Sequence, residues 1–251
     1  MSRLSAFRIS YRGCSKNEQY LMSQLQNVLQ LYPEIEEDLV RCITDTAFFC
    51  SMFFPETFYA PYTELHYRMF EALDDPSIQK VVISAPRGLG KTTIMKAFVA
   101  KNILFRTYRF NAYISKSETH AVQQTENIKR NLLNNLMIRK VFGNIKVSDK
   151  DMDEEFSKKA WTAFGESLVL PRGSGQQIRG QNWNDYRPDL MIFDDLEDTK
   201  KLNNELIRQE RYNWFFTDAV EAVPQLPGIP WKMIYIDTVK HEDSLIEHLF
   251  D

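Results

Sequence analysis

The sequence predicts an α/β protein with a mostly parallel sheet and helices on both faces of that sheet. From residue 58 onward, short apolar segments typical of buried strands alternate with segments whose apolar residues recur at helical spacing. A glycine-containing loop joins the first of these strands to a helix, and two later strands end in aspartate. Ligands of parallel sheets gather at the carboxyl ends of the strands, so these positions are expected to form one site.

Composition narrows the class of protein. The chain has 251 residues, of which 43% are hydrophobic and 26% charged, with a net charge of −3. It is therefore long enough to bury a core without disulfides, and any surface for nucleic acid must be a local patch. Three cysteines without metal spacing (Cys14, Cys42 and Cys50) predict free thiols. The apolar run 48–54 is too short to span a bilayer, so we expect a cytoplasmic protein without a membrane partner.

Residues 1–57 are predicted to form a small helical appendage, and residues 58–251 the core. Helical apolar stripes cover residues 17–32 and 34–54. The core elements are predicted as a helix over 63–73, a strand over 80–84, a helix to about 106, a strand over 111–115, a long helix over 116–142, a hairpin over 161–170, a strand over 190–193, a helix over 203–223, a strand over 231–236 and a helix over 241–250.

The loop after the first strand has the composition of a phosphate-binding loop. Backbone N–H groups of such a loop and of the following helix point at phosphates, Lys91 adds a positive charge, and the Thr92 hydroxyl can ligate Mg²⁺. The consensus first glycine is replaced by Ala85, while Arg87 is either a solvated cation or a second charge near the γ-phosphate. The residues predicted to bind nucleotide here are Ala85, Pro86, Arg87, Gly88, Leu89, Gly90, Lys91, Thr92 and Thr93.

Acidic residues follow a second apolar strand. Asp194 ends that strand and is predicted to hold Mg²⁺ together with Thr92. A neighbouring carboxylate would deprotonate the attacking water, and both Asp195 and Glu197 are candidates for this general base. The alternative for Glu197 is that it caps the next helix. Thr238, at the end of the last strand, is either a γ-phosphate sensor or part of an ordinary turn.

These segments together resemble the large subunit of tailed-bacteriophage DNA-packaging terminases, from about residue 58 to 243. The loop 85–93, the segment 187–197 and the residues 237–243 look like the phosphate loop, acidic motif and coupling motif of that family. In the same comparison, the aromatic segment containing Tyr62 and His66 sits where the family contacts adenine. The alternatives are core packing for Tyr62 and a satisfied, half-buried histidine for His66.

The resemblance implies a RecA-like P-loop NTPase fold and an ATP- and Mg²⁺-dependent motor that moves double-stranded DNA into a capsid. It also implies a ring, usually of five subunits, which works on the portal protein with the small terminase subunit in the host cytoplasm and is not expected to be a virion component. The isolated domain could instead be monomeric. Family members carry a C-terminal nuclease domain, and this chain is expected to hold the ATPase part without it. Asp195 stands where the family usually has glutamate.

Arginines and lysines provide further candidates. An arginine from a neighbouring subunit often completes the site of a ring ATPase, and Arg179 is the first choice, with Arg87 acting in its own subunit. Other candidates for that arginine are Arg172, Arg139 and Arg130. The candidates for non-specific contacts to the DNA backbone are the basic residues Lys101, Arg106, Arg109, Lys129, Arg130, Arg139 and Lys140, and the alternative for each of them is a solvated helix face.

Two other functions are compatible with the sequence. A helicase-like translocase would share the same ATPase site but would need a second α/β domain. A nucleotide-binding assembly module that does not hydrolyse ATP would account for Ala85 and for aspartate in place of glutamate at position 195.

Overall fold

The computed structural model describes residues 35–146, 157, 159–224 and 229–250 of the chain. Its helices are α1 (Glu36–Thr44), α2 (Thr46–Phe53), α3 (Glu64–Asp74), α4 (Lys91–Leu104), α5 (Glu118–Asn134), α6 (Leu136–Phe142), α7 (Glu205–Trp214) and α8 (Leu245–His248). Its strands are β1 (Lys80–Ser84), β2 (Phe110–Ser115), β3 (Trp161–Ala163), β4 (Ser167–Gly173), β5 (Leu190–Asp194) and β6 (Lys232–Asp237).

The described strands form one sheet in the order β1–β6–β5–β2–β4–β3. All neighbouring strands are parallel except β3 and β4, which form the predicted antiparallel hairpin. The α/β fold with a mostly parallel sheet is therefore confirmed. The last strand, β6, lies between β1 and β5, so the ends of the strands that precede the phosphate loop and the acidic residues are separated by a single strand.

Helices cover both faces of the sheet, and the strands are therefore buried on both sides. On one face, Phe193 and Tyr235 pack with Trp214 and Phe215, which end α7 and begin the next turn. Successive side chains of a strand point to opposite faces. Tyr113 of β2 therefore belongs to the other face, where α5 lies against β2 and β4.

Two predicted long helices are each interrupted by a residue that caps a new helix. The predicted helix 34–54 breaks at Asp45, whose carboxylate accepts the N–H of Phe48 at 2.8 Å. The predicted helix 116–142 breaks at Asn135, whose side-chain oxygen accepts the N–H of Ile138 at 3.0 Å. The prediction of continuous helices is wrong because these short polar side chains satisfy the free N–H groups of a new first turn. Apolar periodicity alone does not reveal such a break.

The last two predicted helices also differ from the structure. The α-helical part of 203–223 ends at Trp214, and the chain continues as a π-helical turn, Phe215–Ala219, and a 3₁₀ turn, Val220–Ala222. The predicted helix 241–250 is regular only over Leu245–His248. Within the described ranges, no helix is both long enough and apolar enough to cross a membrane.

The chain divides into two compact units, residues 1–39 and residues 40–251. Helix α2 belongs to the second unit, together with the sheet. The predicted helix 17–32 and Cys14 lie outside the described residues, and a domain boundary at residue 57 stays a prediction. Cys42 and Cys50 are buried and form no disulfide within the described residues, and burial raises the pKa of Cys50 well above its ordinary value.

Candidate nucleotide site

The loop between β1 and α4 has the backbone geometry that a phosphate-binding loop needs. Gly88 and Gly90 have φ of +86° and +75°, values that residues other than glycine adopt only with strain. Gly90 is the N-cap residue of α4, so the first N–H groups of that helix have no acceptor within it. Ala85 is absent from the described positions with positive φ, and its N–H bonds to the Asp237 carbonyl at 3.2 Å. The missing first glycine is therefore not required here.

Lys91, the first residue of α4, lies against the loop that precedes it. Its Nζ donates to the carbonyl oxygens of Ala85 at 2.6 Å and Pro86 at 2.9 Å and to Thr238 Oγ1 at 2.8 Å. Partial burial lowers the pKa of Lys91, although Asp237 and nearby carboxylates act in the opposite direction. Thr238 Oγ1 in turn donates to the Ala85 carbonyl at 2.8 Å. The loop lysine and the end of β6 are thus joined by direct hydrogen bonds.

Asp194, at the end of β5, is held by hydroxyl groups from two other elements. Its Oδ1 accepts the Thr92 hydroxyl at 3.0 Å, and its Oδ2 accepts the Tyr113 hydroxyl at 2.7 Å. Burial raises the pKa of Asp194, and these two hydrogen bonds oppose that change. Ser115 Oγ donates its hydrogen to the Asp194 carbonyl at 2.7 Å. His120 Nδ1, 2.8 Å from Ser115 Oγ, must therefore carry the hydrogen of that contact.

Asp195 has a strained backbone and two charged partners. Its φ is +50°, in the left-handed region that aspartate tolerates better than most residues. Lys240 Nζ donates to its Oδ1 at 2.5 Å, and Lys116 Nζ to its Oδ2 at 3.3 Å. Burial would raise the pKa of Asp195, but Lys240 and then Lys116 lower it. Asp195 is thus held as an anion beside Asp194.

These groups line one cavity of about 340 Å³ at the carboxyl ends of β1, β6 and β5. Of the residues predicted from sequence, the structure brings the following to this cavity: Arg87, Gly88, Gly90, Lys91, Thr92, Thr93, Asp194, Asp195 and Thr238. The loop and the acidic strand are about a hundred residues apart in the chain. They lie close together in the structure because a single strand of the described sheet, β6, separates β1 from β5.

Two of the predicted catalytic residues lie away from this cavity. Glu197 is 3% exposed, and its carboxylate accepts the N–H of Leu245, the first residue of α8, at 3.1 and 3.2 Å. Its carboxylate therefore contacts the start of α8, and not the next helix in the chain, α7, which was the predicted alternative. Arg179 is exposed and donates to the Thr217 carbonyl at 3.4 Å. Of the alternative arginines, Arg172 at the end of β4 is partly buried, and burial lowers its pKa.

The aromatic segment before the loop is joined to it by a hydrogen bond from His66. The N–H of Thr63 donates to His66 Nδ1 at 2.9 Å, so Nε2 carries the hydrogen and donates to the Leu89 carbonyl at 2.9 Å. Tyr62 instead packs edge-on against Phe70, with ring centroids 5.0 Å apart. It lines a separate cavity of about 600 Å³. Ala85, Pro86 and Leu89 line a third cavity of about 300 Å³.

Asp237, the aspartate predicted at the end of the last strand, also lines the cavity. Sequence reasoning missed several other residues of the site: His120 and Gln124 line the cavity, while Tyr113, Lys116 and Lys240 contact the two aspartates. The rule that polar groups at carboxyl strand ends share a site could have identified Lys116, which follows β2. Lys240 had no such signal because it lies in an irregular segment.

Four of the basic residues expected to contact DNA are structural. Lys101 pairs with Asp74 at 2.6 Å and is 4% exposed, and Arg106, 5% exposed, lies 3.6 Å from Glu166. Arg109 reaches Glu166 at 3.5 Å, and Lys129 is buried and pairs with Glu126. Because acidic partners hold these side chains, none of the four is an exposed candidate for a contact with DNA. Arg130, Arg139 and Lys140 remain exposed.

Comparison with known proteins identifies the family. Residues 82–215, more than half of the chain, match the family model described as "Terminase large subunit, T4likevirus-type, N-terminal". The chain belongs to this terminase large subunit family. The resemblance inferred from the phosphate loop and the acidic strand is therefore confirmed, and the matched segment contains both of them.

A solved structure is also similar. The crystal structure of the HK97 bacteriophage large terminase aligns with a TM-score of 0.47 and 12% identity, over 75% of this chain and 36% of that chain. This terminase chain thus spans just over a third of the length of the solved protein. A search of curated proteins found no match.

Proposed function

We propose that this chain is the ATP-hydrolysing motor domain of a phage terminase, which drives double-stranded DNA into the capsid. The observation that carries the proposal is one cavity that combines Lys91 and Thr92 of the phosphate loop with Asp194 and Asp195 of another strand. Such a combination binds phosphates on one side and offers carboxylates for metal and water on the other. Membership of the terminase family supports the coupling to DNA packaging.

The residues of the cavity fit Mg²⁺. The Thr92 hydroxyl and the Asp194 carboxylate are adjacent oxygen donors, and Asp237 Oδ2 is buried without a hydrogen-bond partner among the described residues. Within the described ranges, no cluster of three or more acidic, histidine or cysteine residues could form an all-protein cage. This matches Mg²⁺, which keeps waters and phosphate oxygens as ligands. When bound, it would neutralise charge developing on the phosphate oxygens.

The protein groups divide the remaining work. Lys91 and the N–H groups at the start of α4 would hold the β- and γ-phosphates, and Arg87 would add a charge beside them. Asp195 is the proposed general base because its carboxylate lines the cavity, whereas that of Glu197 is bound to the Leu245 N–H. A carboxylate here can accept a proton from a water that attacks the γ-phosphorus.

The partners follow from the family. We propose that assembled subunits form a ring, usually of five, on the portal protein, with the small terminase subunit as a further partner in the host cytoplasm. Arg179 is exposed and lies outside the cavity of its own chain, so it is available to complete a neighbouring site. The exposed Arg130, Arg139 and Lys140 are the remaining candidates for contacts to the DNA backbone.

The substitution Lys91→Ala tests the proposal. Because Lys91 neutralises phosphate charge in a partly buried cavity, steady-state phosphate release should fall by about 100-fold or more. Lys80→Ala is the matched control, because Lys80 is an exposed lysine at the opposite end of the strand that precedes the loop. Equal rates for Lys91→Ala and wild type would overturn the site assignment.

One observation favours a second candidate, a nucleotide-binding module without hydrolysis. Both carboxylate oxygens of Asp195 already pair with lysines, so the proposed base is partly occupied. Measuring phosphate release from bound ATP, with the chain in excess and concentrated, separates the two functions. Tight binding with no phosphate release would favour the module.

A further inference from the structure

Two lysines bind the two carboxylate oxygens of Asp195 from opposite sides. Lys240 contacts Oδ1 at 2.5 Å, and Lys116 contacts Oδ2 at 3.3 Å. Lys116 directly follows β2 and Lys240 lies three residues after β6, and these strands flank β5 in the sheet. The carboxylate is therefore held between the ends of both neighbouring strands.

Lys240 is the stronger of the two partners. Its Nζ also contacts Asp237 Oδ1 at 2.7 Å and the Glu197 carbonyl at 2.7 Å, so its three hydrogens each have an acceptor. Its side chain is 4% exposed, whereas that of Lys116 is 36% exposed. Solvent weakens the contact of an exposed lysine, so Lys240 contributes most to holding Asp195.

The backbone of Asp195 explains why such a partner is needed. Its positive φ turns the residue away from the direction of β5, while its N–H still bonds to the Ile236 carbonyl at 3.2 Å. The side chain is 38% exposed, so without partners it would sample several rotamers. A charged group fixed beneath the carboxylate selects one of them.

We propose that Lys240 is a positioning residue that fixes the Asp195 carboxylate toward the phosphate cavity, with Lys116 as a weaker second partner. The proposal rests on the proposed function, in which Asp195 is the base. Lys240 is not among the residues that line the cavity, so it acts through Asp195 and does not touch the nucleotide.

The same segment connects the base to the loop lysine. Thr238 accepts a hydrogen bond from Lys91 at 2.8 Å, and Lys240 lies two residues further along the chain. If the ammonium of Lys91 shifts toward bound phosphates, its hydrogen bond to Thr238 changes, and with it the segment that carries Lys240. Thr238, which contacts Lys91, and Lys240, which contacts Asp195, therefore lie on the same three-residue segment after β6.

Lys240→Met tests the inference, because methionine keeps much of the length of the side chain without its charge. With Asp195 misoriented, kcat should fall about 10- to 100-fold while KM changes less than about twofold. The dissociation constant of a non-hydrolysable ATP analogue should be unchanged. Lys116→Met, at the exposed partner, should lower kcat by only about two- to threefold.

A double-mutant cycle separates positioning from a structural role. If Lys240 acts through Asp195, adding Lys240→Met to Asp195→Asn should produce no further loss of kcat. A kcat of folded Lys240→Met equal to wild type, with only a lowered melting temperature, would overturn the inference. So would full additivity of the two substitutions.

A second pair of variants covers the case in which Lys240→Met fails to fold because Asp237 loses its counter-charge. Asp237→Asn/Lys240→Met is then compared with Asp237→Asn, so that the buried charge stays balanced, and the same fall in kcat is expected. No fall would overturn the inference. If ATP hydrolysis is lost in Lys91→Ala but kept at the wild-type rate in Lys240→Met, the positioning role of Lys240 is excluded while the proposed function stands.

Discussion

Strand β5 has a buried aspartate at each end, and the two differ in what satisfies them. Asp189 precedes the strand and is 7% exposed, and Asp194 closes it and is 1% exposed. Burial raises the pKa of both carboxyl groups. The carboxylate of Asp189 accepts the backbone N–H groups of Arg109 and Phe110, each at 2.8 Å. Within the described residues, the carboxylate of Asp194 accepts hydrogen bonds from the hydroxyl groups of Thr92 and Tyr113, and Asp194 lines the cavity at the carboxyl ends of the strands.

The same contrast extends to the other charges at the two ends of the sheet. At the amino ends, Lys232 Nζ donates to the carbonyl oxygens of Ala72, Leu73 and Asp75 at 3.2, 2.6 and 2.8 Å, and so binds the C-terminal end of α3. At the carboxyl ends, Lys91 contacts the carbonyl oxygens of Ala85 and Pro86 and the hydroxyl of Thr238, and both Lys91 and Thr238 line the cavity of about 340 Å³. The two lysines therefore differ in their partners: Lys232 binds the end of a helix, whereas Lys91 contacts a residue that lines the same cavity as Asp194 and Asp195.

The difference between the two ends of β5 predicts its largest effect on activity for a substitution of Asp194. Asp194→Asn removes the carboxylate proposed to bind Mg²⁺, so kcat for phosphate release should fall about 100-fold or more. The fold should be retained, since the amide oxygen can still accept a hydroxyl hydrogen from Thr92 or Tyr113. Phosphate release and urea unfolding are the two measurements. Activity within tenfold of wild type would contradict the assignment of Asp194.

Asp189→Asn, at the other end of the same strand, is the matched control and should affect stability instead. Above the raised pKa of Asp189, at about pH 7, the carboxylate accepts both N–H groups, whereas an asparagine cannot, because one side of its amide is a donor. The free energy of unfolding at this pH should therefore fall by about 1–3 kcal/mol. Turnover per folded molecule should stay unchanged. A large loss of kcat at retained stability would show that the amino end of β5 also contributes to the site.

The effect of Asp189→Asn should also depend on pH. Burial raises the pKa of Asp189 to about 6, above the value of about 3.9 for an unfolded chain. Between these values the folded chain binds more protons, so the stability that Asp189 contributes falls as the pH rises from about 4 to 6 and is constant above that. The destabilisation by Asp189→Asn should therefore shrink across this window, as urea midpoints of both chains at a series of pH values would reveal. A constant difference would exclude the raised pKa.

The smallest effect is expected at His66. His66→Phe keeps an aromatic ring beside Tyr62 but removes the hydrogen bond to the Leu89 carbonyl of the loop. The loss of one such bond corresponds to about a two- to tenfold rise in KM for ATP, with kcat unchanged. Tyr67→Phe, on the exposed side of the same helix, is the control. A fall in kcat with unchanged KM would instead connect His66 to the chemical step.

The meeting of residues at the candidate site was predictable from sequence where they follow a strand directly. Lys91, Thr92 and Asp194 line one cavity, as expected for a glycine loop before a helix and an aspartate at the end of a parallel strand, whereas their roles stay predictions. The choice between Asp195 and Glu197 was not predictable. Both are acidic residues near the same strand end, and only the packing of α8 shows that the carboxylate of Glu197 is bound elsewhere.

The α/β class, the glycine loop before a helix and the acidic end of an apolar strand could be recognised from the sequence alone, since each depends on local periodicity and on backbone preferences of neighbouring residues. The three-dimensional structure was needed to show that β6 separates β1 from β5, that Lys101 and Arg106 are buried with acidic partners, and that Lys240 reaches Asp195. These contacts join residues far apart in the chain or in irregular segments. Their geometry follows from how strands and helices pack, which no short stretch of sequence encodes.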